Sequence, residues 1–198
     1  MNKIKSIFIV LVFSIFTFSC SKDDDTLVLP VIEYAEENPL NGYLETSGYN
    51  QDQVSSIDNP SIVEAGFSFK PVFNGKINSL KAWIPASNNS LRVTIWDNET
   101  QTAIRTEIVN VTSANVPSIK TIEPLFLLKN KEYTITMNSN DYYIKTKTDG
   151  TAAEYPIAVG NIVITSYREG YGAAQTFPQG TQPDYYNGNC SFSFQRTE

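Results

Sequence analysis

The sequence predicts an all-β protein: an antiparallel β-sandwich, jelly-roll-like, of about eight or nine short strands. Three observations carry this expectation. Beyond Ile62, apolar and polar residues alternate with a period of two. Turn clusters such as Asn74–Gly75, "ASNNS", "DNETQ", "KTDGT" and "PQGTQPD" break that alternation at short intervals. No helical pattern of period 3.6 is sustained beyond two turns.

The elements follow in order. "NGYLETSGYNQDQ", from Asn41 to Gln53, reads as an ordered loop or edge strand at the start of the domain. In "GFSFKPVF", Phe67, Phe69, Pro71 and Phe73 stand against Ser68, Lys70 and Val72. "KINSLKAWIP" and "SLRVTIWD" come next, then "TAIRTEIVNV", "IEPLFLL", "KEYTITMNS", "DYYIKTK", "VGNIVITSY" and "CSFSFQ". Leu80, Ala82 and Ile84 share one face, as do Leu91, Val93 and Ile95, so the two segments can pair as a hairpin around "PASNNS". That pairing sets Trp83 opposite Arg92 on the outer face, with Trp96 beside them. The three could form an aromatic platform with Arg92 stacked on Trp83. Equally, other strands could cover both tryptophans, as is usual for large aromatics.

Charge is unevenly placed. Of the formal net charge of −6, residues 21–58 hold nine acidic side chains against one lysine, and residues 59–198 hold equal numbers of each sign. A neutral body without a basic stripe argues against nucleic acid as a partner. Two cysteines are present. In "NCSFSFQ", Cys190 alternates onto the face of Phe192 and Phe194, as a small buried hydrophobe would.

The first residues describe a secretory signal peptide over 1–19: Lys3 and Lys5, then an apolar run from Ile7 to Phe18, then Ser19. That run falls short of the roughly 20 residues a membrane-spanning helix needs. The junction of Ser19 with Cys20 resembles a bacterial lipobox, with Thr17 at the place usually held by leucine. The resemblance implies that Cys20 carries lipid and holds the protein to a membrane. An ordinary secreted protein cut elsewhere is the alternative. The following "SKDDD" resembles the acidic export signal of Bacteroidetes-type lipoproteins, which implies an outer-membrane protein displayed on the cell surface. It also reads plainly as the solvated start of a tether over residues 20–40. Its 18 residues from Ser21 to Asn38 would span about 23 Å r.m.s. if flexible. The domain is then expected over 41–198.

The chain has no histidine, which removes Ser-His-Asp and Cys-His arrangements and histidine metal sites. No phosphate-binding glycine loop is present. Asp141, Asp149, Glu154 and Glu169 lie in or near loops, but nothing marks two of them as a hydrolytic pair. "NSND" and "KTDGT" offer oxygen ligands for calcium and are equally good turn sequences. No catalytic residue, metal ligand or cofactor is therefore assigned, and no enzymatic activity is expected.

Aromatic residues gather late in the chain: Tyr142, Tyr143, Tyr167, Tyr171 and Tyr185 among them. Tyrosine pairs an apolar face with a polar tip and suits ring-shaped polar ligands, though it also suits any β-sandwich rim. With Trp83, Arg92 and Trp96, these tyrosines are the candidate ligand-binding residues. "EAGFSFKPVFNGKI", "LRVTIWD", "KEYTITMNSNDYY", "PIAVGNIVI" and the closing "FPQG…DYYNGNCSFSF" resemble a family of β-sandwich domains of unknown function in Bacteroidetes surface lipoproteins. The resemblance runs from about Gly42 to Gln195 and implies a sandwich comparable with carbohydrate-binding modules, with no catalytic residues to carry over. The expected function is non-catalytic binding of a glycan or another surface polymer. Docking of a protein partner in an envelope complex is the alternative, and glycoside hydrolysis a less favoured third.

Overall fold

The computed structural model describes residues 32–56 and 61–198. The expected signal peptide, the lipidation candidate Cys20 and the aspartates after it lie outside the described residues. The element order is α1 (Pro39–Ser47), β1 (Gln51–Ser56), β2 (Val63–Pro71), β3 (Gly75–Ala82), β4 (Asn88–Asp97), β5 (Thr102–Val111) and β6 (Ser118–Leu127), followed by β7 (Tyr133–Ser139), β8 (Asp141–Thr146), β9 (Ile157–Val159), β10 (Ile162–Tyr171), β11 (Tyr185–Asn187) and β12 (Cys190–Arg196). The strands form three antiparallel sheets, ordered β5-β4-β7-β2-β10-β9, β12-β3-β6 and β1-β8-β11. The fold is thus the expected all-β sandwich.

The strand count differs from expectation: the described residues contain twelve rather than eight or nine. Each stretch with apolar alternation is a strand. The additional three are β1, whose "QDQVSS" has no apolar face, and β9 and β11, each three residues long. Too short or too polar to show a period, these form because a neighbouring strand offers backbone partners.

Residues 39–47 are helical where a loop or edge strand was expected. Pro39 opens the helix, Leu40, Tyr43 and Ser47 are buried on one side, and Gly48 closes it at φ +78°, a left-handed conformation that favours glycine. The compact unit begins at Glu33, so residues 33–40 belong to the folded body rather than to a tether. Glu37 exchanges two backbone hydrogen bonds with Phe194, at 2.8 and 2.9 Å. Its carboxylate also accepts the Asn161 amide at 2.8 Å.

The core sits between the sheets. Phe67, Phe69, Phe192 and Phe194 are fully buried, and the Phe69 and Phe192 rings meet at 4.6 Å across the sandwich. Burying each such ring contributes about 2–3 kcal/mol before the ordering entropy is subtracted. Cys190, Phe192 and Phe194 share the inward face of β12, as their alternation predicts. Burial pushes the Cys190 thiol well above its ordinary pKa.

The expected hairpin does not form. β3 pairs with β12 and β6, whereas β4 pairs with β5 and β7. The link between them crosses from one sheet to another, so Ile84 and Leu91 meet the core from opposite layers instead of side by side. Alternation shows which side chains point inward; it does not say whether two inward faces lie in one sheet or face each other.

Candidate functional site

The eight candidate residues fall into three groups. Trp83 lies just beyond β3, where its N–H donates to the Asn189 carbonyl at 2.9 Å. Its ring packs 4.8 Å from that of Tyr143, and the Lys145 ammonium stands 5.2 Å and 5.8 Å from the two rings. Lys145 pairs with Asp52, its cross-strand neighbour on β1, and is 2% exposed. Burial lowers its pKa to about 8, against the pull of that carboxylate. Among the described residues the Trp83 Nε1 is buried without a hydrogen-bond partner, and the half-buried ring lies against Tyr143 rather than beside Arg92.

Arg92 and Trp96 form the second group, on the outer face of the six-stranded sheet. Arg92 is not stacked on Trp83; it donates to Glu64 at 2.8 Å. Trp96 is 2% exposed and donates its Nε1–H to the Thr136 hydroxyl at 2.8 Å. Glu64, equally buried, also accepts from Thr136 at 2.5 Å, so both its oxygens are satisfied.

The third group gathers Tyr142, Tyr167, Tyr171 and Tyr185 near Glu169, which two of them touch. Tyr167 and Tyr185 donate to Glu169 Oε2 at 3.2 and 3.4 Å, and their rings lie 6.1 Å apart. The Tyr167 hydroxyl also meets the side-chain carbonyl oxygen of Asn187. Burial first, then the neighbouring Tyr171 and Glu169, raises the Tyr142 phenol pKa. Burial and Glu169 push Tyr185 up to about 12. Tyr171 is 72% exposed and presents its ring to solvent. Behind the patch the rings continue inward, from Tyr167 to Tyr186 at 5.6 Å and from Tyr186 to Tyr43 at 5.3 Å. The patch therefore stands on the core and is held rigid by it.

Alternation and aromatic clustering pointed to the tyrosines, but Lys145, Glu64 and Asn187 were missed. An acidic residue at a polar position of a long strand, as in "VEAGF", is the one signal that could have marked Glu64. Asp149 accepts from the amide and hydroxyl of Thr151 at 3.0 and 2.8 Å, the geometry of a turn. Among the described residues no three metal-ligating side chains come together, and no helix is long and apolar enough to cross a membrane.

A groove of about 840 Å³ lies elsewhere, on the outer face of β12-β3-β6, lined by Glu36, Lys76, Asn78, Thr121 and Gln195. Its one aromatic ring, Tyr34, is half-buried and has the Arg196 guanidinium over one face at 4.0 Å. No protein-family profile matches the chain, and no curated protein matches it either.

The tyrosines set the alkaline limit of the fold. Burial raises Tyr43, Tyr167 and Tyr186 well above the ordinary phenol value, and Tyr155 to about 12. An unfolded chain would ionise these phenols near pH 10 while the folded one keeps them protonated. Their contribution is therefore fully present below about pH 10 and is lost as pH rises through the folded values. Lys145 acts in the opposite sense, since its lowered pKa makes the folded state shed a proton between about pH 8 and 10.5 that the unfolded state keeps. Melting temperature is expected to hold or rise slightly from pH 8 to about 10, then fall, with tyrosinate absorbance appearing together with loss of the β-sheet signal. Full phenol ionisation while the sheet signal persists would contradict the burial.

Proposed function

We propose that the protein is a cell-surface lipoprotein of the Bacteroidetes type whose sandwich binds a glycan or another surface polymer without altering it. The observation that carries the binding reading is the pair Tyr167 and Tyr185 on the Glu169 carboxylate, with Tyr142 and Tyr171 close enough to be felt by Tyr185 and Tyr171 left 72% exposed. A sugar ring offers an apolar C–H face to stack on an exposed phenol ring and hydroxyls to donate to a fixed carboxylate. Hydrolysis would call for two carboxyl groups about 5–9 Å apart, and the patch is built around one.

The basic start, the short apolar run and Cys20 support the lipid anchor, and "SKDDD" supports display. Metabolic labelling with palmitate is expected to mark the protein and to lose it in Cys20→Ser. Label that survives this substitution would rule out the anchor, and protection of the domain from protease on intact cells would rule out display.

Binding is tested by applying the purified protein to a glycan array and measuring Kd for each positive glycan. Tyr171→Ala is expected to weaken binding at least about tenfold, or ~1.4 kcal/mol, without lowering the melting temperature, because the side chain is largely outside the core. Affinity unchanged by that substitution would remove the patch from the site.

A protein partner is the second reading, favoured by Ile119 and Phe126, which stand 64% and 69% exposed on β6. A stoichiometric protein that co-purifies from native membranes and is lost with Phe126→Glu, with no glycan bound, would establish it instead.

A further inference from the structure

Between Tyr171 and Tyr185, the two surface tyrosines of the patch, residues 172–184 run as a strap across the outer face of the six-stranded sheet. Its course is fixed by contacts with four strands. Asn138 on β7 donates to the Gly172 carbonyl at 3.1 Å, and Arg92 on β4 to the Ala173 carbonyl at 3.0 Å. Gln175 reaches the hydroxyls of Thr94 and Thr106 at 3.4 and 2.5 Å. Gly180 then returns to β10 through a two-way backbone bridge with Glu169, at 2.9 and 3.0 Å.

Antiparallel register arranges the sheet beneath into lines of side chains, since residues directly opposite one another share a face. One line runs Thr106, Thr94, Thr136, Gly66 and Arg168 across five strands. The next runs Arg92, Asn138, Glu64 and Gly170, and Trp96 lies on the other side of the first. The two glycines leave gaps in these lines. At Gly66 the gap is obligatory, because a Cβ would come 1.9 Å from the Ile135 carbonyl oxygen.

A polar outer face is ordinary for an antiparallel sheet when water covers it. Here its centre is dry: Thr94 and Thr136 are fully buried, and Glu64 and Trp96 are 2% exposed, while Thr106 at one end of the row is exposed. The strap that keeps it dry contributes little apolar surface of its own. Ala173 to Thr176 are exposed; the strap's apolar contacts are Phe177, whose ring lies 5.8 Å from Trp96 and at 87° to it, and Pro178, which is buried. Its far end is held where Ala153 donates to the Pro183 carbonyl at 2.7 Å, so the part free to open at lower cost than the core strands is the exposed first half.

The charges under the strap are unequal. Glu64 is matched by Arg92 at 2.8 Å. Arg168 has no carboxylate within ion-pair distance among the described residues; its Nε donates to Ser68 at 2.9 Å, and its plane lies 5.6 Å from the Phe177 ring. A guanidinium left without a counter-charge beside an aromatic ring and in line with a row of hydroxyls matches a carboxylate carried on a sugar ring.

We infer that the outer face of the six-stranded sheet is a ligand floor closed by the 172–184 strap, and that its ligand is a uronate-bearing glycan chain. In the closed state Phe177 occupies the face of Trp96 that a sugar ring takes on opening. Arg168 receives the carboxylate, and the threonine row receives hydroxyls. The inference rests on the glycan-binding reading and adds to it the class of sugar and a second surface for the chain.

The test uses purified protein carrying Trp83→Phe, which leaves Trp96 as the sole tryptophan reporter. The probes are polygalacturonate, alginate and hyaluronan, set against neutral galactan and mannan. At least one uronate polymer is expected to bind with a change in Trp96 emission. Arg168→Gln should weaken that binding about tenfold or more, Arg168→Lys less, and Phe177→Gly should strengthen it severalfold by loosening the strap. The lysine variant keeps the charge and separates a folding defect from loss of recognition. Binding that depends on Tyr171 but leaves Trp96 emission and the Arg168→Gln affinity unchanged would overturn the floor and keep the patch. Equal or better binding of the neutral polymers would overturn the uronate assignment. No binding by any probe, together with a silent glycan array, would overturn the glycan reading and this inference with it.

Discussion

Tyr43 joins the parts of this fold that sequence order keeps apart. Its ring, fully buried, touches Tyr49 at 6.3 Å, Phe67 at 5.9 Å, Tyr155 at 6.2 Å and Tyr186 at 5.3 Å. Its hydroxyl meets that of Tyr155 at 2.5 Å. One side chain therefore ties the helix to the six-stranded sheet, to the loop before β9 and to the short strand β11. A buried phenol must keep its hydrogen-bond partner, which fixes the ring more tightly than an equally large hydrocarbon would be. The tyrosine patch inherits that rigidity through Tyr186 and Tyr167.

Much of the sandwich was legible because alternation is a direct consequence of strand geometry. "GFSFK" and "CSFSFQ" could hardly be anything but half-buried strands, and their inward residues are those that meet in the core. What alternation could not carry was partnership. Leu80 and Leu91 have matching faces, yet their strands belong to different layers, because the choice between pairing beside and packing across is made by the whole sheet. α1 was missed for a different reason. Leu40, Tyr43 and Ser47 do fall on one helical face, and Pro39 and Gly48 do bracket it, but two and a half turns are too few for a period to stand out.

The site was legible by residue type and obscure in arrangement. Tyrosines crowded near the C-terminal end signalled recognition, and two of them, Tyr167 and Tyr185, meet at Glu169. Trp83 and Trp96, expected on one outer surface, are separated by the layer change between β3 and β4. Trp96 is dry because a loop folds back over a polar face, and no local pattern in "GAAQTFPQG" encodes which face that will be. Long-range coverage of this kind depends on where β10 and β11 end in space, which is a property of the assembled sheets.

The N-terminal residues of the compact unit have a mechanical consequence. From Tyr34 to Asn38 the chain is fastened at successive points: Gln195 to the Tyr34 carbonyl at 2.6 Å, Asn78 to Glu36 at 2.8 Å, Phe194 to the Glu37 backbone, and Ser191 to Asn38 at 2.6 Å. A pull on the chain from this end is shared among these bonds before it reaches α1, and three of the four fasten it to the single strand β12. Tension would be delivered to the middle of a paired strand and spread along it, leaving the tyrosine patch unloaded. The unit is built so that it can be held by its leading end without being opened there.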